Sequence, residues 1–285
     1  MNILKTKIVA DSACDIFELP NISFETAPLK IITTQKEYVD NEQLDVLQMV
    51  DDLKNYKGKS STSCPNVGDW IDAFGDAQYI FCVTITGTLS GSYNSAILAK
   101  QTYEEMYPDR HIFVLDSLTA GPEINLIIEK LQELIISGKK FDEICKEIKK
   151  YRRKTGLIFM LESMKNLANN GRVSPIVAKM AGLFGVRLVG KASDKGDLEP
   201  IDKCRGEKNA LENIVENLKT LGLSCGGKVM IAHCFNEQAG LKLKELVQKS
   251  FSKVQVVLYE CRGLCSFYAE KGGLLVGFEK AIKTE

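Results

Sequence analysis

Histidine is almost missing from this chain of 285 residues: only two occur, His111 and His233. That scarcity leaves little for a catalytic triad, which needs a base held by an orienting partner. Charge of one sign is also missing, because 37 Lys and Arg balance 37 Asp and Glu. Without a global field to steer a polyanion, nucleic acid is not an expected partner. No apolar run approaches the length of about 18 residues that spans a bilayer. The start of the chain, Met1 to Ala10, has its apolar stretch broken by Lys5 and Lys7 and leads into Asp11, so it reads as a first strand rather than a targeting segment.

Nine cysteines are present, but their spacing suits neither a disulfide framework nor zinc. Cys261 and Cys265 have no second pair to complete a metal set, so no metal is expected and the thiols read as reduced in a cytoplasmic protein. Nucleotide fingerprints are absent as well. Gly222 to Lys228 resembles a phosphate loop but lacks its glycine spacing and the Ser or Thr after the lysine. No G-x-G-x-x-G follows a strand and opens a helix.

What the chain has is a series of short apolar or β-branched runs alternating with helical patterns. Ile8-Val9-Ala10, Tyr79 to Ile85 and Ile112 to Leu115 read as strands; Val67 to Phe74, Ser92 to Met106, Ile124 to Ile136 and Phe141 to Arg153 read as helices. Pro108 and Gly138 supply stops. At this length two domains of about 130–160 residues are expected. The basic run Lys149 to Lys154, read as a solvated helix end, marks the boundary between 1–154 and 155–285.

The second half reads as strands Gly156 to Leu161, Lys228 to Ala232, Val254 to Tyr259 and Leu274 to Phe278, with helices Ser163 to Ala168, Ile176 to Leu183, Lys208 to Leu221 and Glu237 to Lys249. Ser193 to Glu199 reads as a polar loop. Several connections are too short for crossover helices, which predicts a partly antiparallel sheet. The fold class is therefore α/β, a mainly parallel N-terminal sandwich followed by a mixed C-terminal domain.

Three hydroxyl-rich loops follow strands and precede helices: Asp11-Ser12-Ala13-Cys14-Asp15, Thr62-Ser63-Cys64-Pro65 and Thr86 to Ser92. A fourth, Asp116 to Gly121, is similar. In an open parallel sheet such loops gather at the carboxyl edge, where ligands bind, and hydroxyls beside helix N-termini suit a carboxylate or phosphate. Each Ser or Thr taken alone is equally an N-cap. Cys64 before Pro65 admits an enzyme reading, a Cys64-dependent hydrolase; a phosphotransferase-like enzyme and a binder of another small amphiphilic acid also stay open.

Lys7 to Ser12, Thr62-Ser63-Cys64-Pro65, Leu89 to Ala96, Val114 to Ser117 and Asn170 to Ser174 occur in an order that resembles the DegV family of bacterial fatty-acid-binding proteins. The resemblance implies a non-enzymatic carrier of one long-chain fatty acid, such as palmitate, held between two domains with no cofactor. It implies that Thr62 and Ser90 bind the carboxylate, with Ser63 and Arg172 nearby, and that the acid is presented to a separate fatty acid kinase. Where the family has a histidine followed by T-G-P-G, this chain reads Tyr268-Ala269-Glu270-Lys271-Gly272. Tyr268 keeps a hydrogen-bond donor there but no positive charge near neutral pH. Ile176 to Leu188, with Met180, Leu183 and Phe184, is the expected wall of the acyl slot.

Overall fold

A computed structural model describes residues 3–181 and 185–281. In chain order the first half runs β1 (Thr6–Asp11), β2 (Ser23–Ala27), β3 (Lys30–Ile32), β4 (Glu37–Val39), α1 (Val46–Asn55), β5 (Ser61–Ser63), α2 (Val67–Phe74), β6 (Tyr79–Thr84), α3 (Ser92–Met106), β7 (His111–Asp116), α4 (Pro122–Ile136) and α5 (Phe141–Arg152). The second half runs β8 (Thr155–Leu161), α6 (Lys165–Asn169), α7 (Pro175–Ala181), β9 (Val186–Ala192), β10 (Leu198–Arg205), α8 (Glu207–Thr220), β11 (Lys228–His233), α9 (Glu237–Ser250), β12 (Gln255–Glu260), α10 (Gly263–Ala269) and β13 (Leu274–Glu279). Among the described residues no helix is long and apolar enough to cross a membrane.

The first sheet has the order β2-β1-β6-β7, all parallel. Its strand order reverses between β1 and β6, so the loops leaving those two strands diverge and open a crevice. Helices α2 and α3 cover one face through Trp70, Phe74 and Tyr103. Helix α4 covers the other through Ile124, Ile128 and Leu131.

Helix α4 is buried more fully than a helix with one exposed face. It is buried along most of its length, Glu123 and Asn125 included, because it lies between the first sheet and β8, β11 and β13 of the second. Gly277 on β13 permits the approach: a Cβ there would sit 2.6 Å from the Glu123 backbone nitrogen.

The second large sheet has the order β10-β9-β8-β13-β11-β12. Only β11 and β12, joined by α9, pair in parallel; its other neighbours are antiparallel. One face packs on α8 and α9, and the other, bearing Leu157, Phe159 and Leu275, packs toward α10. A third sheet, β4-β3-β5, is antiparallel and was not expected from the sequence. Strand β10 likewise begins at Leu198, inside the segment read as a polar loop, because hairpin pairing with β9 satisfies a backbone whose side chains are mostly exposed.

Candidate functional site

The crevice begins at Asp11, the last residue of β1. Its Oδ2 accepts the Ile85 backbone N–H at 2.9 Å and the Ser92 hydroxyl at 2.6 Å, tying β1 to the end of β6 and the start of α3. Ser12 and Ser117 shape the walls. Ser12 Oγ accepts the Leu29 N–H at 3.0 Å, Ser117 bonds the Thr119 backbone, and both are buried.

Helix α10 closes the opposite side, and its footing comes from the first half of the chain. Asp40 accepts the Gly263 and Leu264 N–H groups with its two oxygens, each at 2.9 Å, and Asp15 accepts the Arg262 N–H at 2.8 Å. These are the free donors that every helix start exposes. Gly263 is required for the approach, since a Cβ would stand 2.6 Å from Asp40 Oδ1.

Between these walls lies a narrow cavity. Its first-half lining includes Leu29, Ile85, Leu89 and Ala120; the second half contributes Leu157, Phe159, Leu161 and Leu275, and α10 adds Leu264 and Cys265. Among the described residues, the polar ones lining it are Thr62, Ser90, Arg172 and Tyr268. An apolar cavity with one polar end suits an amphiphile.

The four polar residues are organised. Thr62 Oγ1 and the Tyr268 hydroxyl lie 2.7 Å apart; whichever donates, the other keeps a proton for a ligand. Arg172 Nε donates to the Leu89 carbonyl at 3.0 Å, and a second bond runs from Nη1 to the Asn170 carbonyl. Its guanidinium lies 6.0 Å from the centre of the Tyr268 ring, with further N–H groups left for an anion. Ser90 Oγ accepts the Ser92 N–H at 3.3 Å, leaving its proton to donate. Burial raises the Tyr268 phenol above its ordinary value, so it remains a neutral donor. With one cation and three hydroxyls, this end matches a monoanion better than a phosphate dianion.

Ser63 is not part of this group. It neighbours Thr62 on β5, and strand alternation sends the two side chains to opposite faces. Of the expected acyl wall, Ile176 on α7 is 77% exposed and Leu188 is buried, and neither lines the cavity; Leu183, Phe184 and the side chain of Met180 lie outside the described residues. Among the described residues, β8, β13 and α10 wall the slot. Helix α10 was missed because a seven-residue helix buried on nearly all sides shows no amphipathic period.

Cys64 is half-buried, and burial raises its thiol above the ordinary value, the reverse of an activated nucleophile. Neither histidine lines the cavity. His111 starts β7, at the amino edge of the first sheet, away from the ligand-bearing carboxyl edge. Among the described residues no group of three or more His, Cys, Asp or Glu could hold a metal ion.

Gly190 sets the shape of the slot from behind. It pairs with Phe159 across β9 and β8, and a Cβ on it would come within 2.3 Å of the Phe159 ring and 2.7 Å of the Glu199 carbonyl. Gly190→Ala is expected to push the ring into the slot, weaken binding of the longest acyl chains first, and lower stability by about 1–3 kcal/mol. Thermal unfolding and a chain-length series of acids measure both effects.

The model of the DegV family, described as an uncharacterised protein family, matches residues 5–281. A DegV domain-containing protein of Streptococcus pneumoniae strain R6 is 43% identical over 277 residues, covering 96% of this chain and 98% of that protein. The crystal structure of a DegV family protein from Eubacterium eligens loaded with heptadecanoic acid superposes with a TM-score of 0.95 at 43% identity, covering 97% of this chain and all of the other. The Streptococcus pneumoniae Fatty Acid Kinase (Fak) B3 protein loaded with linoleic acid superposes at 0.94 with 42% identity, covering 97% and 99% of the two chains. With the match running almost from end to end, this chain belongs to the DegV family.

Proposed function

We propose that this protein is a cytoplasmic, non-enzymatic carrier that binds one long-chain fatty acid between an N-terminal domain, residues 1–154, and a C-terminal domain, residues 155–285. Thr62, Ser90, Arg172 and Tyr268 hold the carboxylate, and Ser63 supports the Thr62 loop from behind. The observation that carries this reading is the cavity itself, apolar throughout except for one end with three hydroxyls and one guanidinium. The relatives loaded with heptadecanoic and linoleic acid support it.

Burying about ten methylenes contributes about 8 kcal/mol, whereas each net hydrogen bond adds about 1 kcal/mol. The tail therefore supplies most of the affinity and the polar end fixes direction. Exposing the carboxylate side at a mouth built from Thr62, Ser90 and Arg172 suits its presentation to a fatty acid kinase, which would phosphorylate it. The nine free cysteines fit a reducing compartment.

Native mass spectrometry of the purified protein is expected to recover a bound acid. After delipidation, Thr62→Val with Tyr268→Phe should weaken heptadecanoic acid binding by about tenfold, and adding Arg172→Gln by about a hundredfold, while an alcohol of equal length loses less. No recovered lipid together with no acyl binding overturns the reading; equal loss for acid and alcohol overturns only the assignment of the polar end.

A further inference from the structure

A second cavity lies behind the slot, and Leu157 lines both. Its character is opposite. Three cations from two stretches of chain line it: Arg152 and Arg153 at the end of α5, and Lys280 just beyond β13. Ser117, Thr155 and Ser193 add hydroxyls.

Arg152 is placed by the backbone rather than by an ion pair. Arg152 Nη1 donates to the Asp116 carbonyl at 2.8 Å, which fixes the guanidinium beside the end of β7. Gly156 makes room for Lys280, because a Cβ there would lie 2.6 Å from the lysine Cε. Among the described residues none of the three forms an ion pair within 4.0 Å. Two acids share the lining, Glu123 and Asp194. Asp194 is exposed on the β9–β10 turn, and Glu123 is buried, engaged by the Thr155 hydroxyl at 2.7 Å and close enough to Lys280 and Arg152 for their charges to favour its carboxylate, so it offsets part of the positive charge. The basic run at the end of α5 thus divides: Lys149 and Lys150 are exposed as a solvated helix end, whereas Arg152 turns inward.

We propose that this cavity binds a phosphate-bearing ligand, held by Arg152, Arg153 and Lys280 and kept apart from the acyl slot by Leu157. A partly buried guanidinium, an exposed one and a partly buried ammonium lining one open cavity suit a tetrahedral dianion with several acceptor oxygens. The same chemistry is carried by a free phosphate monoester and by the monoester headgroup of phosphatidic acid.

The test starts from protein saturated with heptadecanoic acid, so that the Arg172 end of the slot is occupied. Equilibrium dialysis with inorganic phosphate and with glycerol phosphate is expected to show saturable binding of one equivalent. Arg153→Gln with Lys280→Gln should weaken it about tenfold or more, with acyl binding and thermal midpoint unchanged. Phosphatidic acid vesicles form a third arm: capture that depends on Arg153 and Lys280 assigns a headgroup, and binding of the soluble probes alone assigns a free ligand. Absence of saturable binding in all three arms, unchanged affinity in the double variant, or displacement of phosphate by the fatty acid each overturns the proposal.

Discussion

The Asp40→Ala chain is expected to unfold with about 2–5 kcal/mol less free energy than its parent and to lose most of its acyl binding. Asp40 is fully buried, and it is the acceptor for two N–H groups at the start of α10. Alanine leaves both donors without a partner away from water, at about 1–3 kcal/mol each. The binding loss follows from the same contact, because α10 carries Leu264, Cys265 and Tyr268 into the slot. Asp40→Asn retains one acceptor oxygen and should cost roughly half as much. Urea unfolding of the two variants, read beside heptadecanoic acid titration, measures both quantities; an alanine variant of parental stability would show that α10 holds its position without the carboxylate.

This dependence on Asp40 also marks where sequence patterns lose their reach. Helices α2 and α3 have the limits that their patterns predict, Val67–Phe74 and Ser92–Met106. Their signals are local: Asn66 and Asp69 form a capping box on α2, and Pro108 follows the end of α3. Strands β3, β4 and β5 have three residues each, too few for an alternation to register. They exist because residues distant in the chain pair, as Ile31 does with Thr62.

The site divides in the same way. Thr62, Ser90, Arg172 and Tyr268 stand in motifs that a family resemblance can carry, and they converge on one cavity. Asp40 and Asp15 carry no local signal, since their partners lie more than 200 residues away. The contribution of β8 to the slot was not legible for a related reason. An apolar helix such as α7 and an apolar strand such as β8 look alike by composition, and only the sheet order decides which faces the other half.

The stability of the protein is expected to fall as pH rises through neutrality, and Asp11 is the residue with which to test it. Burial pushes the Asp11 and Asp15 carboxyls from 3.8 up to about 7, against the hydrogen bonds that favour their charged forms. Between those two values the folded chain holds more protons than the unfolded one. Each group's contribution is therefore fully present near pH 4 and is lost as pH rises to about 7, approaching about 4 kcal/mol at 1.36 kcal/mol per pH unit. Asp11→Asn keeps an acceptor for Ile85 and Ser92 but has no proton to exchange. The parent should accordingly exceed the variant in stability by most near pH 4, with the difference shrinking or reversing by pH 8, as urea unfolding at each pH would measure. A difference independent of pH would mean that Asp11 is ionised in the fold throughout this range. Because Asp11 joins β1 to the start of α3, two residues beyond Ser90, the same titration acts on the loop that presents a carboxylate-binding hydroxyl. Fatty acid affinity in the parent should then vary with pH across this window, and in the Asp11→Asn chain it should vary less.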